Sequence, residues 1–79
     1  MSFMATTIDQ RVAANVRAEM ARRRVSQQTL ANAMDLSFMS ISRRMSGHVS
    51  FSISELYRVA EVLKVDIRTL IALEQAVAS

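Results

Sequence analysis

The sequence predicts an all-α fold of five short helices around one core, with a helix-turn-helix formed by the second and third. Three observations lead there. Apolar residues recur at three- and four-residue spacing along nearly the whole chain, the period of one helix face. Ser, Thr or Asp stands ahead of each such run, where a side-chain oxygen can take a free backbone N–H. No period-two alternation long enough for a strand occurs, and the chain contains no proline.

Thr7 and Gln10 form a capping-box pattern. Behind them Ile8, Val12, Val16 and Met20 mark the inner face of a first helix that ends near Arg22-Arg23-Arg24, where cations complement the helix dipole. Ser26 caps a short second helix with Leu30, Ala31 and Met34 inward. Asp35-Leu36-Ser37 breaks the pattern, and Ser37 caps a third helix carrying Ile41 and Met45, with Phe38 three before Ile41. Gly47, the one glycine, falls just past that helix, where a left-handed turn costs no side-chain clash.

His48 to Phe51 reads as loop. Ser52 with Glu55 makes a second capping box and opens a fourth helix with Ile53, Leu56, Ala60 and Leu63 inward and Tyr57 partly buried. Lys64-Val65 is a short connection, and Asp66 caps a last helix with Ile67, Leu70, Ile71 and Val77 on its apolar side. Residues 1–6 are expected to be a flexible arm and residues 7–79 the domain.

Composition narrows the function classes. With 79 residues, 51% of them hydrophobic, the chain is one small domain with enough apolar material for a core. It has no cysteine and one histidine, His48, which excludes thiolate chemistry and a His-rich metal cluster. The acids are scattered and no Ser lies in a nucleophile motif, so no enzyme and no cofactor are expected. No apolar run is long enough to span a membrane and the opening residues lack a signal-peptide pattern, so a soluble, cytoplasmic protein is expected. The net charge is +3, but residues 11–50 hold seven Arg against Glu19 and Asp35, a net +5. That concentration suits a polyanion.

Residues 26–47 carry the functional signal: an eight-residue helix, a three-residue turn and a second helix. Small Ala31 allows close approach, Leu36 and Ile41 fill the space between the helices, and Met39, Ser40, Ser42 and Arg43 point outward. A helix of that width fits the DNA major groove, where each base pair presents a distinct pattern. Phe38 has two readings here, core packing with Ile41 and Met45 or contact with a thymine methyl.

Ser26-Gln27, Leu30-Ala31, Met34, Leu36-Ser37, Ile41-Ser42-Arg43 and Gly47, followed by Leu56, Ala60, Leu63-Lys64-Val65 and Leu70-Ile71, resemble the lambda-repressor-like, Cro-type helix-turn-helix domains. The resemblance covers roughly residues 8–73. It implies base contacts from Phe38, Met39 and Arg43, to which Ser42 is added as an outward position of the same helix. It implies phosphate contacts from Gln27 and Ser46, to which Arg23, Arg24, Gln28, Ser37, Ser40, Arg44 and His48 are added by position and charge. Three positions depart from the family pattern. Asp35 stands where the turn often has Gly, Met45 where Glu is common, and Arg44 where an apolar residue is usual. Met45 is expected to fill the core and leave Arg44 free to reach phosphate.

The resemblance implies a sequence-specific double-stranded DNA-binding transcriptional regulator, a phage or bacterial repressor acting on an operator. A homodimer is expected, with Leu73, Ala76 and Val77 on its face. The rival reading is an antitoxin-like or adaptor module that binds a protein through the same fold, a role apolar Phe38 and Met39 would suit.

Overall fold

The computed structural model describes residues 7–72. Five helices follow in order: α1 (Ile8–Arg23), α2 (Gln27–Met34), α3 (Phe38–Met45), α4 (Ile53–Leu63) and α5 (Ile67–Leu70). The described residues contain no strand. The expected N-terminal arm, residues 1–6, and the expected dimer-face residues Leu73, Ala76 and Val77 lie outside the described residues.

Every helix starts on the residue that the sequence marks. Thr7, Ser26, Ser37, Ser52 and Asp66 are all in extended backbone, and each side chain accepts a hydrogen bond from a first-turn N–H. Thr7 with Gln10 and Ser52 with Glu55 close reciprocal capping boxes.

The C-termini share a second device. α1, α2 and α4 end on Arg24, Asp35 and Lys64, whose φ angles of 57°, 58° and 58° are left-handed. In each case the next N–H reaches back to a carbonyl five residues earlier, Val25 to Met20 at 3.0 Å, Leu36 to Ala31 at 2.9 Å and Val65 to Ala60 at 3.0 Å. Val25, Leu36 and Val65 then pack against the core. Orphan carbonyls and a hydrophobic contact thus offset a left-handed backbone that costs roughly 1–2 kcal/mol for a residue with a Cβ. α3 ends likewise, with Gly47 at φ 85° and His48 N–H donating to the Arg43 carbonyl at 3.0 Å.

α2 packs on α3 and α4, while α1 touches α3, α4 and α5. Val16, Leu30, Ala31, Ile41, Val59 and Leu70 are completely buried between them, and Val12, Met20, Met45, Leu56 and Leu63 nearly so. The Asn15 amide donates to the carbonyls of Leu70 and Ala72, both at 2.9 Å, and ties the end of the described chain to α1.

Four expectations need correction. Ile8 and Ile53 are exposed, because each is the first residue of its helix and overhangs the core by a turn. Tyr57 is exposed as well, one turn after Ile53 on the same side of α4. Ile71 lies beyond the four-residue α5 and is also exposed. Val59, three after Leu56 and four before Leu63, takes the inward place on α4.

Candidate nucleic-acid interface

The helix-turn-helix is built as one unit. Asp35 turns the chain after α2, and its short polar side chain tolerates the left-handed conformation. Ser37 caps α3 by accepting from Ser40 N–H at 3.0 Å, and its own hydroxyl donates to Ser40 Oγ at 3.1 Å. Buried Ala31 and Ile41 let the two helices meet closely. Ile41 and Met45 anchor the inner side of α3, so its other side faces outward.

That outer side holds the residues expected at base edges. Phe38 is 48% exposed and Met39 59%, so Phe38 is not part of the core. Ser42 is half-buried and Arg43 exposed. Among the described residues the Arg43 side chain has no hydrogen-bond or ion-pair partner, so its five donors are free for a ligand. Past the helix, Ser46 Oγ donates to the Arg43 carbonyl at 3.0 Å and lies 2.6 Å from His48 Nδ1. Ser46 Oγ and His48 Nδ1 share a hydrogen bond, which leaves the Nε2 edge of the ring without a partner among the described residues. Arg43, Ser46 and His48 are thereby joined at one end of α3.

The expected phosphate contacts divide. Gln27 opens α2, half-buried, and the Gln28 amide beside it donates to Asn32 Oδ1 at 3.0 Å. Arg24 is exposed and unpaired. Arg23 instead joins Arg22 on the carboxylate of Glu19, a buried acid that its position in the sequence did not single out. Two guanidiniums satisfy that carboxylate, which would be costly to bury alone.

Arg44 departs most from its expected place. Its side chain is 17% exposed and turned inward, Nε donating to Glu55 Oε1 at 3.1 Å and Nη1 to the Ser40 carbonyl at 3.0 Å. It is therefore not free to reach phosphate. The reason lies in α4: Glu55, needed for the capping box, presents its second function to α3. Partial burial pushes the Glu55 carboxyl up, but hydrogen bonds from Arg44 and Ser52 and the Arg44 charge outweigh this and hold it below its usual range. The exposed Asp66 carboxyl is held at about 2 by hydrogen bonds from Arg68. Sequence reasoning also missed Arg17, whose guanidinium donates from α1 to the Met45 carbonyl at the end of α3. Its outward place on α1 gave no signal of that role.

Among the described residues no helix is long and apolar enough to cross a membrane, and no group of three or more His, Cys, Asp or Glu could hold a metal ion. An open groove of about 460 Å³ lies at the α4–α5 junction, lined by Tyr57, Ala60, Val65 and Ile67 among others.

No curated protein and no solved structure matches the chain. A family model described as the BetR domain matches residues 5–79, nearly the entire sequence, and by that match the chain belongs to the BetR-domain family.

Proposed function

We propose that this chain is a sequence-specific double-stranded DNA-binding regulator, acting as a repressor of the phage or bacterial kind, with α3 as the helix that enters the major groove. The observation that carries the reading is Arg43: an unpaired, exposed guanidinium on the outer side of a helix whose inner side is locked by Ile41 and Met45. An Arg so placed can donate two parallel hydrogen bonds to guanine O6 and N7. Phe38 and Met39 supply apolar contact for a thymine methyl, and Arg24, Ser46 and His48 supply phosphate contacts around it. The BetR-domain membership and the Cro-type likeness of residues 26–47 both support a small regulatory helix-turn-helix domain. The reading places the protein in the cytoplasm with its DNA, and pairs two copies on two half-sites, since one α3 covers about half an operator.

A second reading has one observation in its favour. Two large apolar side chains, Phe38 and Met39, are exposed side by side on α3, which would also suit a protein partner. Fluorescence anisotropy with a random duplex at two salt concentrations separates the two. DNA binding predicts association that weakens steeply as salt rises; no association even at about 50 mM salt favours the protein partner.

A further inference from the structure

We propose that Arg44 and Glu55 form a strut that fixes the angle at which α3 is offered to a duplex, which makes them positioning residues for sequence discrimination rather than contacts to DNA. The proposal rests on the DNA-binding reading, and its test includes a readout without DNA.

No Cα of α3 lies within 8 Å of a Cα of α4; the backbone of α3 lies close to α1 and α2, and that of α4 to α1, α2 and α5. The Arg44 side chain bridges them. At one end its Nη1 holds the Ser40 carbonyl within α3, and at the other its Nε holds Glu55 Oε1 on α4. Glu55 cannot swing freely, because the same Oε1 accepts from Ser52 N–H at 2.9 Å while Ser52 Oγ accepts from Glu55 N–H at 3.0 Å. The strut thus runs from the capped first turn of α4 to the middle of α3, its two flexible side chains held by hydrogen bonds at Ser40, between Arg44 and Glu55, and at Ser52. Arg17 of α1 grips the Met45 carbonyl at the far end of α3 and gives a second fixed point.

Ile41 and Met45 hold α3 by apolar packing, which is strong but non-directional and tolerates rolling. Hydrogen bonds weaken steeply with angle and so resist it. Base readout requires side chains placed within tenths of an ångström, whereas phosphates are reached by long flexible cations over a wide range of angles. A loosened α3 therefore loses discrimination before it loses affinity. With side chains 17% and 23% exposed, the pair is also of the kind whose apolar replacement is often neutral for stability.

The test is the double variant R44M/E55Q, in which Gln keeps an acceptor for Ser52 N–H. Two duplexes serve as probes, one enriched by the wild-type protein from a random pool and one scrambled. The expected result is a ratio of affinities at least about tenfold lower, the value of one lost base contact, with an unchanged salt slope on the scrambled duplex. R44K, which keeps the charge but not the fork, is expected to recover only part of the ratio. Residual dipolar couplings of the free protein should report a changed tilt of α3 relative to α4. An unchanged ratio and unchanged tilt would overturn the strut. A salt slope reduced by about 1, with equal loss on both duplexes, would overturn it in favour of a phosphate contact. If the wild-type protein binds neither duplex, the DNA reading fails while the couplings still decide the strut. Should the double variant not fold, R44M alone, which leaves the Ser52–Glu55 capping box intact, carries the same readouts.

Discussion

Gly47 lies directly against Gln10: a Cβ built on the glycine would stand 2.8 Å from Gln10 Cγ and 3.2 Å from Gln10 Cα. The first of these contacts could relax by a side-chain shift, but the second is to backbone of α1. Its φ of 85° adds a conformation that residues with a Cβ rarely take. Gly47→Ala is therefore expected to destabilise by about 2–3 kcal/mol, combining backbone strain and overpacking. In a domain of this size that lowers Tm by roughly 10–20 °C. A shift within a degree or two in a thermal melt would show that α1 does not constrain the loop.

Arg43 is expected to behave as a base reader. Arg43→Ala should leave thermal stability unchanged, since the side chain is exposed and unpaired, and cost about 1–3 kcal/mol on the preferred duplex with relaxed choice at one base pair. Equal weakening on a scrambled duplex would assign Arg43 to phosphate instead.

The cations at the end of α1 should not act alike. Arg24 is unpaired and left-handed at φ 57°, so Arg24→Gly removes a charge and relieves backbone strain together. It is expected to raise stability by up to about 1 kcal/mol and to lower the salt slope of DNA binding by about 1. Arg23 is committed to Glu19, and Arg23→Ala should leave the slope nearly unchanged. The opposite ranking, read from affinity titrations across salt, would mean that Glu19 releases Arg23 on binding.

Glu55 gives a pH dependence of known sign. Its carboxyl is held below its ordinary value of 4.5 in the folded protein, so its contribution to stability is fully present above that value. The contribution is then lost as pH falls through the lower folded pKa. Asp66, lowered to about 2, acts in the same direction, so the comparison must isolate Glu55. Urea unfolding from about pH 6 to about pH 3 should show wild type losing more stability than E55Q. Parallel curves would mean that the Arg44 and Ser52 contacts do not favour the ionised form.

Much of the fold is legible because it is local. All five caps are recoverable from single residues, since a cap needs only one oxygen ahead of an apolar run. The left-handed ends are recoverable in part. Gly47 marks one, and Asp35 suits another, but Arg24 and Lys64 carry no local mark, and only the following Val25 and Val65 reveal them. Their comparison also explains where the single glycine stands. Three left-handed ends tolerate a Cβ on the exposed surface, whereas the fourth faces Gln10, so close approach rather than φ alone demands glycine there.

The candidate interface is legible where one helix face decides it and illegible where side chains reach between elements. Arg43 and Met39 point outward as their spacing from Ile41 and Met45 predicts. Arg44, Arg17 and Glu19 look like solvated charges in the sequence, yet each is committed inside the protein. Arg44 and Arg17 find their partners on other helices, which periodicity does not encode, whereas Glu19 meets Arg22 and Arg23 at the i+3 and i+4 spacing of its own helix and only its burial is hidden in the sequence.

The central claim, that the exposed side of α3 reads DNA sequence, is tested most directly by selecting bound duplexes from a random pool. The account predicts enrichment of a short motif, repeated about one helical turn apart with two-fold symmetry, and loss of preference at one position of each half when Arg43 is replaced by Ala. A pool that emerges unenriched, or an enriched motif indifferent to Arg43, would contradict it.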